Sequence, residues 1–256
     1  MTNSPSFSSL NRSLQRGLLI LRCFKPGSSG LTNADLSKLT ELPKATITRL
    51  TSTLVLSGFL DYDPATKTYF LGAVVLSLGL ARRIESGITP EMVSKMRDFA
   101  KPIHANISLA VSDELDMVYV VCEHYDHTRE HRKIFPGTRM PIATSTMGAA
   151  YLSTLEDSQL DDYRAKLGSR YGEKWPAIED KLFGLIGQIK KCGVSRIVYS
   201  GVVVAISTTV VLTGGRRYSL TASLNKDNVP DDENLRAFIA EFLQLSRELG
   251  ENSSMN

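Results

Sequence analysis

The feature that most constrains this chain is a spacing. Between "LTNADLSKLT" (31–40) and "KATITRLTSTL" (44–54) stand only three residues, Glu41, Leu42 and Pro43. Both flanking segments place apolar residues at helical intervals: Ala34, Leu36 and Leu39 in the first, Ile47, Leu50 and Leu54 in the second. Thr32 suits an N-cap and Asp35 the N3 position of a capping box, which starts the first helix. Pro43 fits the first turn of the next helix, where its missing N–H costs nothing. A link this short fixes two helices at a steep angle, as in a helix-turn-helix.

The neighbours complete the unit. "NRSLQRGLLILRCF" (11–24) places Leu14, Leu18 and Leu21 on one stripe, widened by Ile20 and Phe24, and "KPGSSG" stops it. After Leu56, "SGF" closes the third helix, and "FLDYD", "PATK" and "TYFLG" read as two short strands about a proline-containing turn. Residues 11–72 are therefore expected to form a winged helix-turn-helix, with the third helix offered to a major groove. On that helix Lys44 and Thr46 sit near the N-terminus, where side chains and backbone N–H groups meet phosphates and bases. Thr48 shares the face, and Arg49 can reach a guanine edge or a phosphate. Alone, such a face is an ordinary solvated one; the helix before it and the hairpin after it make it a candidate DNA reader. Arg12, Arg16 and Thr32, with Thr66 and Lys67 of the wing, complete the candidate DNA-binding set. Residues 1–80 hold eight Lys/Arg against four Asp/Glu, while the remainder is slightly acidic, so the basic surplus lies with this segment.

The rest of the chain reads differently. Residues 73–87 suggest a linker helix and 89–107 another. "SLAVSDELDMVYVVCEH" suggests two strands about an acidic turn, and "GVVVAISTTVVL" and "YSLTASLN" two more joined at "TGG". "YLSTLEDSQLDDYRAKL" and "ENLRAFIAEFLQLSREL" are helical. Strands and helices alternate without a repeating unit, so 88–250 is expected to be an α+β domain on one antiparallel sheet. Residues 1–10 and 251–256 read as tails. Three scattered cysteines, Cys23, Cys122 and Cys192, form no CxxC pair and favour a reducing compartment. With no signal-peptide pattern at the start and no long apolar run, a cytoplasmic protein is expected.

The sequence also bears on two other chemistries. Cys122, His124, His127 and His131 gather three of the four histidines at spacings that can present imidazoles to a metal. This is the basis of an alternative reading, a metal-dependent enzyme or sensor. Glu123, Asp126 and Glu130 alternate there with cations, which reads more simply as a solvated loop. No GxSxG, HExxH, GxxxxGK[ST] or GxGxxG motif occurs, so neither an enzyme nor a cofactor is expected.

"SLQRGLLILRCF", "LTNADLSKLTELPKATITRLTSTLVLSGFL" and "TYFLG" resemble the DNA-binding domain of the isocitrate lyase regulator (IclR) family of bacterial transcription regulators. "PGTRMPIATSTMGAAYLS" (136–153) resembles the segment that borders the family's ligand pocket, and "GVVVAISTTVV" and "SLTASLN" resemble two of its sheet strands. The resemblance covers roughly 11–250. It implies a winged helix-turn-helix, a linker helix and a GAF-like α+β domain that binds an effector and oligomerises, as a dimer or a dimer of dimers. The implied partners are operator DNA, a small organic acid or aromatic metabolite, and a second copy of the chain. Thr146 and Met147 fall where the family's pocket loop meets its effector. Ser207, Thr209, Thr221 and Ser223 join them as candidates, because Thr221 and Ser223 share one face of their strand. Thr209 stands where the family usually has proline, and "GAA" where it usually has a cation.

Overall fold

The computed structural model describes residues 11–125, 134–212, 214–229 and 232–252. The chain divides into two compact units, Met1–Glu85 and Ser86–Asn256.

The first unit runs α1 (Arg12–Leu21), β1 (Leu31–Thr32), α2 (Asn33–Thr40), α3 (Lys44–Leu56), β2 (Leu60–Asp63), β3 (Thr68–Leu71) and α4 (Ala73–Ile84). Its small antiparallel sheet has the order β1-β3-β2. The capping box at the start of α2 is formed: Thr32 accepts from the Asp35 N–H, and the Asp35 carboxylate accepts from the Thr32 N–H and hydroxyl. Pro43 stands one residue before α3, as its N-cap, and its carbonyl accepts from Thr46 and Ile47. Ile20, Leu36, Ile47, Leu60 and Tyr69 make the core.

The apolar stripes are narrower than their spacing suggests. Helix α1 buries Gly17 and Ile20, while Leu14 and Leu18 are 62% and 53% exposed. Its leucines extend over more of its circumference than so small a unit can cover. In the two-turn α2 only Leu36 is buried, and Ala34 and Leu39 are exposed. Helix α4 buries nothing.

The second unit runs α5 (Pro90–Ala100), β4 (Asn106–Asp113), β5 (Asp116–Glu123), β6 (Arg139–Pro141), α6 (Thr146–Leu152), α7 (Asp157–Tyr171), α8 (Trp175–Cys192), β7 (Ser195–Tyr199), β8 (Val203–Leu212), β9 (Arg216–Asn225) and α9 (Asp232–Asn252). Six antiparallel strands take the order β6-β5-β4-β9-β8-β7. The helix expected over 89–107 ends at Ala100, because Pro102 and the left-handed His104 (φ 51°) turn the chain into β4. The helix expected from Tyr151 onward is two helices, α6 and α7. Helix α8, for which the sequence reading names no element, holds Gly184 and Gly187 inside its 18 residues, and these weaken its helical signal.

The sheet alternates as its pleat requires. Leu220, Ala222 and Leu224 of β9 pack in one core with Met92 and Met96 of α5 and Phe242 of α9. Ser219 and Thr221 point to the opposite face, where α6 lies. A second core joins Met147 and Leu152 of α6 to Leu167 of α7 and Leu182 and Ile186 of α8.

Candidate functional site

Each unit presents one site. In the first, Glu41 in the left-handed region (φ 59°) ends α2, and the turn is braced by Ser37 Oγ donating to the Leu42 carbonyl at 2.7 Å. Helix α3 turns Ile47 and Thr51 inward. The Thr51 hydroxyl bonds to the Ile47 carbonyl at 2.9 Å and lies 3.2 Å from the Tyr69 hydroxyl, which ties α3 to β3. What remains outward is a continuous face of Lys44, Ala45, Thr48, Arg49 and Ser52. At the wing, Asp63 accepts from the Ala65 N–H at 2.9 Å and the Thr66 hydroxyl at 2.6 Å, and the exposed Lys67 stands at the tip with φ 55°.

In the second unit a cavity of about 520 Å³ opens between the sheet and the start of α6. Tyr119, Tyr199, Met140 and Met147 supply aromatic and thioether walls, and Asn106, Ser108, Thr146, Thr221 and Ser223 supply polar groups. Sheet register explains this polar set. Ser207, Thr221 and Ser108 are direct cross-strand neighbours, as are Ala205, Ser223 and Asn106. Helix α6 is seated tightly: Ser145 donates to the Pro141 carbonyl and accepts from the Gly148 N–H. A Cβ at Gly148 would stand 1.9 Å from the Ile142 carbonyl oxygen, so only glycine fits there. Ser219 Oγ donates to the Met147 carbonyl at 2.7 Å and Ser195 Oγ to the Thr146 carbonyl at 3.2 Å.

The cavity's electrostatics are mild. Among the described residues lining it there is no Lys or Arg. Its one described carboxylate, Glu123, is paired with Arg97 at 2.8 Å. Burial pushes the Cys122 thiol up to about 12, with the Glu123 charge adding to the shift, which favours the neutral thiol. Burial also raises the Tyr199 phenol, opposed by the Thr146 N–H and hydroxyl that face its oxygen.

The IclR helix-turn-helix model matches residues 13–64. An HTH-type transcriptional regulator of Comamonas testosteroni, TsaQ1/TsaQ2, is 34% identical over 68% of this chain and 64% of its own length. The Pca regulon regulatory protein of Pseudomonas putida is 27% identical over 75% of this chain and 65% of its own length. The matched segment thus spans a little under two thirds of either relative. An IclR-family regulator from Brucella abortus superposes with a TM-score of 0.82 at 24% identity, covering 95% of this chain and 93% of that one. Residues 13–64 are an IclR helix-turn-helix domain. An IclR homologue from Microbacterium hydrocarbonoxydans, solved with 4-hydroxybenzoate, shares the fold, with a TM-score of 0.71 at 17% identity over 95% of this chain and all of that one.

Within this chain the candidate residues separate into groups. Lys44, Thr48 and Arg49 are together on the exposed face of α3, while Thr46 is half-buried beside it. The Thr32 and Thr66 hydroxyls donate to Asp35 and Asp63, so both residues also shape turns. Thr48 Oγ1 donates to the Lys44 carbonyl and accepts from Asn33 Nδ2, which links α2 to α3. Arg12 and Arg16 are exposed on α1. Thr146, Met147, Thr221 and Ser223 line the cavity. Ser207 is fully buried behind it, and Thr209, two residues further along β8, faces a separate cleft beside Arg247. Among the described residues no group of three His, Cys, Asp or Glu could hold a metal, and His127 and His131 lie outside them. Cys122 and His124 line the cavity, and His124 Nε2 contacts the Ile134 carbonyl at 2.9 Å.

Ala45 and Ser52 were missed, although helical spacing from Arg49 and Thr48 points to both. Tyr119 could have been found from the alternation of β5. Tyr199 carries no local signal, since only the fold brings β7 to the mouth of the cavity.

Proposed function

We propose that this chain is a DNA-binding transcription regulator and not an enzyme, with operator affinity controlled by a small molecule in the cavity of the second unit. The observation that carries this reading is the exposed face of α3 in an IclR helix-turn-helix domain. Lys44 and Arg49 supply charge for phosphates and a guanine edge. Thr48 and Ser52 supply hydroxyls, and the Ala45 methyl suits a thymine methyl. Lys67 of the wing and Arg12 and Arg16 of α1 add backbone contacts. A cytoplasmic location fits this role, and no described helix is long and apolar enough to cross a membrane.

The cavity suits a small aromatic metabolite. Its walls are largely aromatic and apolar with a few convergent hydroxyls, the usual build of a small-ligand site. The bound 4-hydroxybenzoate of the Microbacterium homologue supports an aromatic ligand. A second copy of the chain is the proposed partner of the first unit, because Leu14 and Leu18 of α1 and Leu76, Leu80 and Ile84 of α4 leave large apolar side chains exposed. Two copies present two reading helices to a two-fold operator.

The test is titration onto DNA from upstream of the regulated gene at several salt concentrations. Steep loss of affinity with salt is expected, since each neutralised phosphate adds about 0.9 to the logarithmic slope. A flat salt response would remove the DNA-binding reading and favour a winged helix that binds protein.

A further inference from the structure

Tyr119 carries a hydroxyl for which the fold supplies no partner. Among the described residues lining the cavity, Ser108, Tyr119, Thr146 and Thr221 are both polar and buried, Tyr119 to 4% exposure. Three of them are hydrogen-bonded within the protein. Thr146 and Thr221 each meet the Ser207 hydroxyl, at 2.7 and 2.8 Å, and Ser108 Oγ donates to the Thr221 carbonyl at 3.5 Å. The Tyr119 backbone is paired too: its N–H donates to the Thr138 carbonyl at 3.0 Å, and its carbonyl accepts from the Gly137 N–H at 2.7 Å. Its phenol oxygen has no hydrogen-bond partner among the described residues. The nearby Tyr199 differs, because its hydroxyl donates to the Thr144 carbonyl at 3.4 Å.

A buried tyrosine hydroxyl usually finds a partner. This one is not sealed in the core: among the described residues, the one sealed side-chain N or O atom without a hydrogen bond is Asn33 Oδ1. The groups whose charges act on the phenol are Cys122 and Tyr199, and both line the cavity. The Tyr119 oxygen therefore opens onto the cavity. Burial raises the pKa of the phenol, so the group keeps its proton and is a donor at neutral pH. Its ring is held in the core with Met117, Ile142, Ala143 and Met147, so the donor is in place before a ligand arrives. A ligand that sets a C–H before this oxygen leaves a buried donor unpaired.

We propose that Tyr119 is a specificity-determining residue of the cavity: its hydroxyl donates to an oxygen on the ligand, so that aromatic carbonyl compounds (ketones, aldehydes or carboxylates) bind in preference to hydrocarbons of the same shape. The inference rests on the aromatic-ligand reading of the cavity.

The experiment is calorimetric titration of the full chain with acetophenone, benzoate and α-methylstyrene. Acetophenone and α-methylstyrene differ by an oxygen in place of a methylene and are nearly the same shape. Wild type is expected to bind an oxygen-bearing probe about tenfold tighter than α-methylstyrene, the size expected for one unpaired buried donor. Tyr119→Phe removes only the hydroxyl and should bring that ratio close to one, with α-methylstyrene bound no more weakly. Loss of affinity for acetophenone assigns the contact to a neutral carbonyl, and loss for benzoate assigns it to a carboxylate. The thermal midpoint of free Tyr119→Phe should equal or exceed that of wild type, because the hydroxyl it lacks has no partner to lose. A merely structural role would lower the midpoint and weaken all three probes together. That result, or unchanged binding of both oxygen-bearing probes to Tyr119→Phe, overturns the inference. Wild type that binds all three probes equally keeps the cavity reading and overturns the inference alone. Wild type that binds none of them overturns the cavity reading and the inference with it.

Discussion

The two units use the same side chains in opposite ways. In the first, the hydroxyls outside the core are spent within a few residues of their own position: Thr32 on Asp35, Thr48 on Lys44, Thr66 on Asp63. They shape turns and helix ends, and the exposed cations are left to face a partner. In the second, the buried hydroxyls of the sheet reach across the sequence. Ser207 meets Thr146 over 61 positions, and Ser219 meets the Met147 carbonyl over 72. Local hydroxyls build a rigid, presented surface; long-range ones build an interior. A threonine on a polar helix face is therefore weaker support for a contact than a cation beside it.

The largest expected effect breaks the interior at its tightest point. Gly148→Ala forces α6 away from the Ile142 carbonyl and should cost about 3 kcal/mol, the upper end for overpacking, read by denaturant unfolding of the second unit. Ser219→Ala comes next. Its hydroxyl is fully buried and holds the first turn of α6, so a loss of about 1–3 kcal/mol is expected in the same assay. In the first unit the matching change is Thr32→Ala, which removes a formed capping box and should cost about 0.5–2 kcal/mol of that unit's stability. If Ser219→Ala proved milder than Thr32→Ala, the contrast between interior and local hydroxyls would be lost.

The smallest effect is a pH dependence. The Thr32 side-chain and backbone hydrogen bonds hold the Asp35 carboxyl below its ordinary value of 3.8. A folded value below the unfolded one gives stability that is present above about 3.8 and lost as pH falls through the lowered folded value. The stability difference between wild type and Asp35→Ala should therefore shrink as pH drops below 3.8, by comparison of thermal midpoints. A difference that stays constant through that range would contradict the cap's ionic character.

How much was legible follows the same division. The first unit's elements could be read because their signals are local: a cap at Thr32, a three-residue turn, a proline before α3. Which leucines are buried could not be read, since Leu14 and Ile20 are equally apolar and only the size of the unit decides between them. In the second unit the β8–β9 hairpin and the Thr221 and Ser223 face followed from period-two alternation. The burial of Ser207 behind the cavity and the presence of Tyr199 at it depend on register and strand order, which no short window contains. Thr209 illustrates the limit: it shares the parity of Ser207 on β8, but the cavity ends before it.

The central claim is that the exposed face of α3 reads operator DNA, and Arg49→Ala tests it most directly. Fluorescence anisotropy on operator DNA and on a scrambled duplex should show specific affinity weakened by about 1–3 kcal/mol, with preference for the operator reduced. Unchanged affinity together with unchanged sequence preference would contradict the assignment of α3 as the reading helix.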